Sequence, residues 1–131
     1  GKYGREDKEQ LRIAILEENV KKVKQLLYDD TYKGEDDFNC AGVGDGGTPL
    51  HYAAVASKKN TKTIKTFLTY IQEANDGGCD GRFVDDINCY GNEESYTPLD
   101  CVYEYNESSI RQKIIDLFRS NGGKRADEMD V

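Results

Sequence analysis

Four cysteines and a single histidine are the residues of this chain whose chemistry could hold a metal ion or form disulfides. Zinc sites usually combine a closely spaced Cys-x-x-Cys pair with further cysteine or histidine ligands. No such pair occurs here, and His51 is the one histidine. We therefore expect no metal, no cofactor and reduced thiols, as in an intracellular, cytoplasmic protein. The cysteines are Cys40, Cys79, Cys89 and Cys101.

Two glycine-rich stretches invite comparison with ligand-binding loops. Residues 42–47 precede a predicted helix, as in a phosphate-binding loop, but no Gly-Lys-Ser/Thr follows them. Residues 75–86 place acidic residues at the first and fifth positions of a calcium loop, but Gly78 and Ile87 occupy the third and twelfth, where acidic ligands are needed. We expect a β-turn at the first stretch and a solvated, dispensable insertion at the second.

Composition and charge narrow the function further. In 131 residues, 37% are hydrophobic and 33% are charged, which predicts one elongated domain with a thin core. Acidic residues number 25 against 18 basic ones, and the net charge of -7 repels nucleic-acid phosphate and anionic lipid. No apolar run approaches the roughly 20 residues of a membrane span. We expect no nucleic-acid binding, no membrane insertion and a partner with a basic surface.

A short motif occurs twice. Thr-Pro-Leu stands at 48–50 and again at 97–99, preceded at the same distance by Asp-Phe-Asn-Cys-Ala-Gly at 37–42 and Asp-Ile-Asn-Cys-Tyr-Gly at 86–91. A threonine hydroxyl can cap the first turn of a helix, and proline is favoured at the first helical position. Each copy therefore predicts a turn that leads into a helix.

This combination of turn motif, Thr-Pro-Leu and a helix pair resembles the ankyrin repeat over nearly the whole chain. The resemblance implies an all-α solenoid of stacked helix-turn-helix pairs with β-turn fingers. We expect one domain, 1–131, with repeats near 7–40, 41–89 and 90–123. Insertions are expected at 29–37 and 75–86. A polar tail, 124–131, should either fray or begin a further repeat.

Apolar spacing places two helices in each repeat. Aligning Leu11 with Leu50 and Leu99 sets the register of the inner helices. The first helix should carry an apolar cluster and open the first repeat, whose outward end should be polar, as an N-terminal cap requires. The cluster consists of Leu11, Ile13, Ala14, Ile15 and Leu16. The predicted inner helices cover 7–17, 49–57 and 98–105, and the outer ones cover 20–27, 61–74 and 108–120.

The resemblance also implies roles for particular residues. The histidine of the Thr-Pro-Leu-His motif typically ties neighbouring repeats together, so we expect a structural role for His51. Asp100 occupies the equivalent position, where the tie should be altered. Ankyrin proteins usually bind another protein through the fingers and inner helices. The residues that map to this surface are Leu16, Glu17, Val43, Asp45, Gly47, Val55, Ala56, Tyr90, Asn92, Glu93, Glu94, Tyr96, Glu104 and Tyr105.

Tyrosines beside carboxylates suit an arginine-containing partner. We therefore expect a monomeric, non-enzymatic protein-interaction module, such as the ankyrin part of a scaffold, a regulator or an effector of an intracellular bacterium. An effector would act in the host cytosol or nucleus. Two alternatives stay open: a targeting domain of a larger multidomain enzyme, and a pathogen or viral mimic of an ankyrin-type inhibitor of transcription factors.

Overall fold

The computed structural model describes residues 5–28, 48–76, 87, 88 and 96–129 of the chain. Every regular element in these ranges is helical, so the predicted all-α class is confirmed there. The α-helices are α1 (Arg5–Leu16), α2 (Val20–Leu27), α3 (Pro49–Ala56), α4 (Lys62–Asp76), α5 (Pro98–Tyr105) and α6 (Arg111–Ser120), and a short 3-10 helix follows at Ala126–Glu128.

The predicted boundaries hold closely for most helices, and the largest differences have local causes. α2 and α5 span the predicted residues, whereas α4 continues for two residues into the predicted insertion. α6 begins at Arg111 instead of residue 108. The Asn106 side-chain oxygen accepts bonds from the Ser108 amide at 3.0 Å and the Ser108 hydroxyl at 2.6 Å, which holds a turn before the helix.

Both Thr-Pro-Leu motifs begin a helix, as predicted. Thr48 and Thr97 are the N-cap residues of α3 and α5, each followed by proline at the first helical position. The Thr97 hydroxyl accepts the amide of Asp100 at 3.2 Å, and the Asp100 carboxylate accepts the amide of Thr97 at 3.0 Å. His51 completes the same reciprocal capping box at Thr48. Two backbone donors that a helix start leaves unsatisfied are thereby paired in each copy.

The helices form two layers. α3 contacts both α1 and α5, so the three inner helices lie side by side in chain order. α2 packs behind α1 and against α4, while α6 packs on α5. The Asn106 amide, after α5, donates to the carbonyls of Ala54 and Ser57 at 2.9 and 2.8 Å, so the carboxyl ends of α3 and α5 are adjacent.

One hydrophobic core runs through both layers. The buried apolar side chains of all six helices form a single cluster, with Leu11, Leu50 and Leu99 each 0% exposed. This agrees with the predicted register. The apolar cluster of α1 lies only partly in the core, because Ile13 is 43% and Leu16 56% exposed. Exposure of Leu16 agrees with its predicted place on the binding surface.

Glu18, in the turn after α1, joins the first helix pair to the second. Its carboxylate accepts the backbone amides of Lys58, Lys59 and Asn60 at 3.1 to 3.4 Å. Glu18 also has a positive φ of 56°, a conformation that costs free energy in a residue other than glycine. The three bonds offset that cost, because a carboxylate strengthens each bond it accepts.

We predict that Glu18→Ala lowers the free energy of unfolding by about 1–3 kcal/mol, since three backbone amides lose a charged acceptor. Alanine keeps a Cβ, so the backbone cost at this φ is unchanged. Urea unfolding provides the measurement, and Glu17→Ala at the exposed neighbouring position is the control. Equal stability losses in the two variants would contradict the assigned role of Glu18.

Tyr28 links α2 to α4 in the outer layer. Its ring meets Tyr70 edge-on at 5.2 Å between centroids, and its hydroxyl donates to the Glu73 carboxylate. Burial, followed by the hydrogen bond to Glu73, raises the pKa of Tyr28 to about 12. Both effects favour the neutral phenol, since ionisation would place two negative charges side by side.

We predict that Tyr28 stays protonated at pH values where ordinary tyrosines, with a pKa of about 10, ionise. Tyr28→Phe should therefore leave the phenolate absorbance gained between about pH 9 and pH 11 unchanged. In contrast, Glu73→Gln should lower the pKa of Tyr28 by removing the neighbouring negative charge, while burial, the largest cause, still keeps it above the ordinary value. If Tyr28→Phe removes a phenol titrating near pH 10, the raised pKa of Tyr28 is contradicted.

Candidate partner-binding surface

The structure describes half of the predicted surface. Leu16, Glu17, Val55, Ala56, Tyr96, Glu104 and Tyr105 lie within the described residues. The finger positions Val43, Asp45, Gly47, Tyr90, Asn92, Glu93 and Glu94 lie outside them, as do most residues of the two predicted insertions.

All described members except Tyr96 occupy two equivalent rows at the carboxyl ends of the inner helices. With the three core leucines aligned, Leu16, Val55 and Glu104 share one position. Glu17, Ala56 and Tyr105 share the next. Exposure varies along the rows: Tyr105 is 45% exposed, Val55 packs partly against the core, and Ala56 is only 7% exposed. Ala56 therefore offers little area to a partner, and its contact role stays a prediction.

Tyr96 and Tyr105 come together although they stand at opposite ends of α5. Their ring centroids are 6.2 Å apart and their planes are tilted by 47°. The rings therefore lie along the helix and meet over its surface. Tyr96 is also fixed through its backbone, because its carbonyl oxygen lies 2.8 Å from Nε2 of His51. We call these two residues the tyrosine pair; Tyr105 is 45% exposed, and Tyr96 packs partly against the core.

The Glu104 carboxylate is already paired with a guanidinium of its own chain. Its carboxylate accepts a bond from Arg125 at 3.0 Å, and the same guanidinium bonds Asp100 at 2.8 Å. The arginine also lies 4.4 Å from the centre of the Tyr103 ring. The Glu104 side chain nevertheless stays 44% exposed, so its role as a partner-binding carboxylate stays a prediction.

Arg125 belongs to the tail, which folds back onto α5. The Asn88 side chain brackets the tail by donating to the Gly122 carbonyl at 3.0 Å and accepting the Lys124 amide at 2.7 Å. The Thr97 hydroxyl donates to the Lys124 carbonyl at 2.7 Å. Fraying is therefore contradicted as far as Met129. Two features of the sequence could have indicated that the tail contacts α5: an arginine in the tail and an aspartate at the position equivalent to His51.

His51 and Asp100 both tie their helix to the next turn of chain, with different chemistry. His51 is 0% exposed, and Nδ1 accepts the Thr48 amide at 3.2 Å. This bond assigns the proton to Nε2, which donates to the Tyr96 carbonyl. Asp100 instead accepts the Ala126 amide at 3.0 Å. The expected structural role of His51 is confirmed, as is the altered tie at Asp100.

Electrostatics favour the ionised form of Asp100, which is 5% exposed. Burial alone would raise its pKa. Hydrogen bonds from the Arg125 guanidinium, the Thr97 and Ala126 amides and the Thr97 hydroxyl outweigh burial and lower the pKa below its ordinary value. Asp100 therefore remains a buried carboxylate that is fully hydrogen-bonded, the condition under which such a charge is tolerated.

Metal ligands do not converge in the part of the chain that the structure describes, where no group of three or more His, Cys, Asp or Glu side chains could hold an ion. Cys101 is buried in the core at 0% exposure. Cys40, Cys79 and Cys89 lie outside the described residues, as do Asp80 and Gly81 of the calcium-like stretch.

The fold and the site define an all-α protein whose helix pairs stand side by side around one core. No family model, curated protein or solved structure matches the chain. Among the described helices, none has the length and apolar character needed to cross a membrane.

We predict that Asp100→Asn destabilises the protein at pH 7 by about 1–3 kcal/mol, because Arg125 and the Ala126 amide lose a charged acceptor. The folded-state pKa of Asp100 is lowered. Its contribution is therefore complete above the unfolded pKa of about 3.9 and is lost as the pH falls through the folded value. Urea unfolding at neutral and acidic pH should show the gap between wild type and variant narrowing in acid.

Asp116→Asn is the matched control for this measurement. Asp116 is exposed on α6, and its carboxylate accepts a bond from the Gln112 side chain of the same helix. This substitution should change stability by no more than about 0.5 kcal/mol. A gap between wild type and Asp100→Asn that widens on acidification would contradict the assigned ion pair.

Proposed function

We propose that this chain is an ankyrin-type, non-catalytic module that binds an arginine-containing segment of another protein on the inner-helix edge. The observation that carries the proposal is the tyrosine pair, formed by Tyr96 and Tyr105 on α5. It offers aromatic area that is already held in place by the fold. Such preorganised tyrosines lose little conformational entropy on binding and are enriched among residues that dominate interface energies.

Support for the ankyrin character comes from the repeated local structure. Thr48 and Thr97 cap α3 and α5 in the same way, and the third residue of each helix reaches the following turn of chain. The three inner helices lie side by side, and the outer helices pack behind them. Stacked pairs of this kind share a core with their neighbours, which leaves the inner edge open for recognition.

Arginine is the favoured partner residue because its planar guanidinium stacks on aromatic rings and also pairs with carboxylates. The chain shows this chemistry internally, where Arg111 and Arg125 lie 5.2 and 4.4 Å from the centre of the Tyr103 ring. Glu17 supplies an exposed carboxylate on the same edge of the inner layer. Glu104 contributes less, since Arg125 already neutralises it.

Apolar contacts complete the proposed surface. Leu16 is 56% exposed at the end of α1, and Val55 stands at the equivalent position of α3. An extended segment crossing the inner helices would meet these side chains before reaching the tyrosine pair. We propose an intracellular setting and a monomeric module, in keeping with the interpretation of the cysteines as reduced thiols.

Selection from a displayed peptide library on the immobilised protein tests this function. We predict that the enriched peptides contain arginine and that Tyr105→Ala weakens their binding by about tenfold or more, mainly through faster dissociation. Tyr28→Ala is a matched control, because Tyr28 is 46% exposed against 45% for Tyr105 but lies in the outer layer. Fluorescence anisotropy gives the affinities.

Lys21→Glu combined with Lys24→Glu is the charge control for the same peptides. These outer-helix changes should leave affinity for basic peptides within about twofold, because the substituted side chains lie outside the contact surface. If the outer-layer variants abolish binding while Tyr96→Ala and Tyr105→Ala leave it intact, the assigned face is wrong.

A further inference from the structure

The outer layer carries a concentration of positive charge that the net charge conceals. Lys21 and Lys24 are exposed on α2, and Lys62 and Lys65 are exposed on α4. The members of each pair are three positions apart in the sequence, so both members lie on one side of their helix. We call these four residues the lysine face. Lys58 and Lys59, exposed in the loop before α4, add to its positive charge.

The lysine face forms no salt bridge in the described part of the chain. The salt bridges found there pair Arg119 with Glu128 and Arg125 with Asp100 and Glu104. None of them involves a lysine of α2 or α4. The α2 sequence has no acidic residue, whereas α4 contains Asp76 and Glu73 near its end, and the Glu73 carboxylate accepts the Tyr28 hydroxyl. Glu18 directs its carboxylate to three backbone amides.

A groove between α2 and α4 brings two of the lysines together. Lys24 and Lys65 line a cavity of about 160 Å³ whose other walls are Tyr28, Thr66 and Thr69. A water molecule accounts for about 30 Å³ in the liquid, so the groove has room for a carboxylate with accompanying water. The two ammonium groups and the Thr69 hydroxyl are suitable donors for such a group, whereas the Thr66 hydroxyl donates to the Lys62 carbonyl.

We propose that the lysine face docks an acidic peptide segment of a second partner, with a carboxylate held between Lys24 and Lys65. Charge complementarity points to an anionic occupant. The net charge of -7 selects a short one, because a long nucleic acid or an anionic membrane would also meet the acidic remainder of the protein. This surface lies on the opposite layer from the tyrosine pair, so the inference is independent of the proposed function.

Anisotropy with a fluorescein-labelled deca-glutamate peptide and the full chain tests the proposal. Lys24→Glu combined with Lys65→Glu should weaken binding by about tenfold or more. Lys113→Glu combined with Lys124→Glu changes the net charge equally at exposed positions elsewhere and should weaken it by less than about twofold. Binding should also weaken with added salt, and less steeply in the Lys24/Lys65 variant.

Further variants separate a docking role from effects on folding. Lys24→Arg combined with Lys65→Arg should retain binding, because the charges remain. Thermal unfolding checks each protein, and if the glutamate variant is unfolded, Lys24→Gln combined with Lys65→Gln must show the loss. Failure of the peptide to bind at millimolar concentration would overturn the proposal, as would equal weakening by the control variant.

Competing occupants are distinguished by parallel measurements. Tighter binding of polyuridylate RNA or phosphatidylserine vesicles than of the peptide, lost in the Lys24/Lys65 variant, would overturn the peptide assignment. Sedimentation velocity tests whether the occupant of the lysine face is a second copy of the chain. A dimer that disappears in the same variant would show that the face joins two copies and would also overturn the proposal.

Discussion

Polar bonds at the junctions between helix pairs are the constraint on which the rest of the structure depends. A pair of short helices buries too little apolar surface to be stable by itself, so each pair must be held in register with the next. At the carboxyl ends of the inner helices, Glu18 reaches forward to the loop after α3 and Asn106 reaches back to Ala54 and Ser57. Glu18 and Asn106 occupy equivalent positions when the core leucines are aligned. Residues at one equivalent position therefore form both junctions, Glu18 as a hydrogen-bond acceptor and Asn106 as a donor.

At the amino ends of α3 and α5, two equivalent residues likewise have opposite hydrogen-bonding roles. His51 donates to a carbonyl of the following turn, whereas Asp100 accepts an amide from the turn after it. The aspartate changes more than a hydrogen bond, because its buried charge requires a cation. Arg125 supplies that cation and also pairs with Glu104, a carboxylate of the inner edge that stays 44% exposed. The aspartate that α5 carries at the position of His51 thus fixes the tail and alters the candidate site.

Local signals in the sequence were sufficient for most of the fold. Threonine caps, proline at the first helical position and apolar spacing predict the helices, since each acts within a few residues.

Interactions distant in sequence were not predictable in the same way. The Glu18 bonds connect residues about forty positions apart, and nothing in the local sequence indicates which amides they reach. The start of α6 was misplaced because the Asn106 side chain competes with the helix for Ser108. For the site, the predicted register placed Tyr96 and Tyr105 on one surface, and their ring centroids are 6.2 Å apart, but it could not indicate that Arg125 would pair with Glu104.

Separation of charge between the two layers bears on how the proposed surfaces would operate together. The tyrosine pair lies on the inner layer, and the lysine face lies on the outer layer. Packed helix axes are about 8–10 Å apart, so the two surfaces are separated by at least one layer of protein. Electrostatic screening at physiological ionic strength acts over about 8 Å, a similar distance. Each partner would therefore respond mainly to the side chains beneath it and only weakly to the net charge. On these grounds a basic segment and an acidic segment could bind simultaneously, without competing for one site.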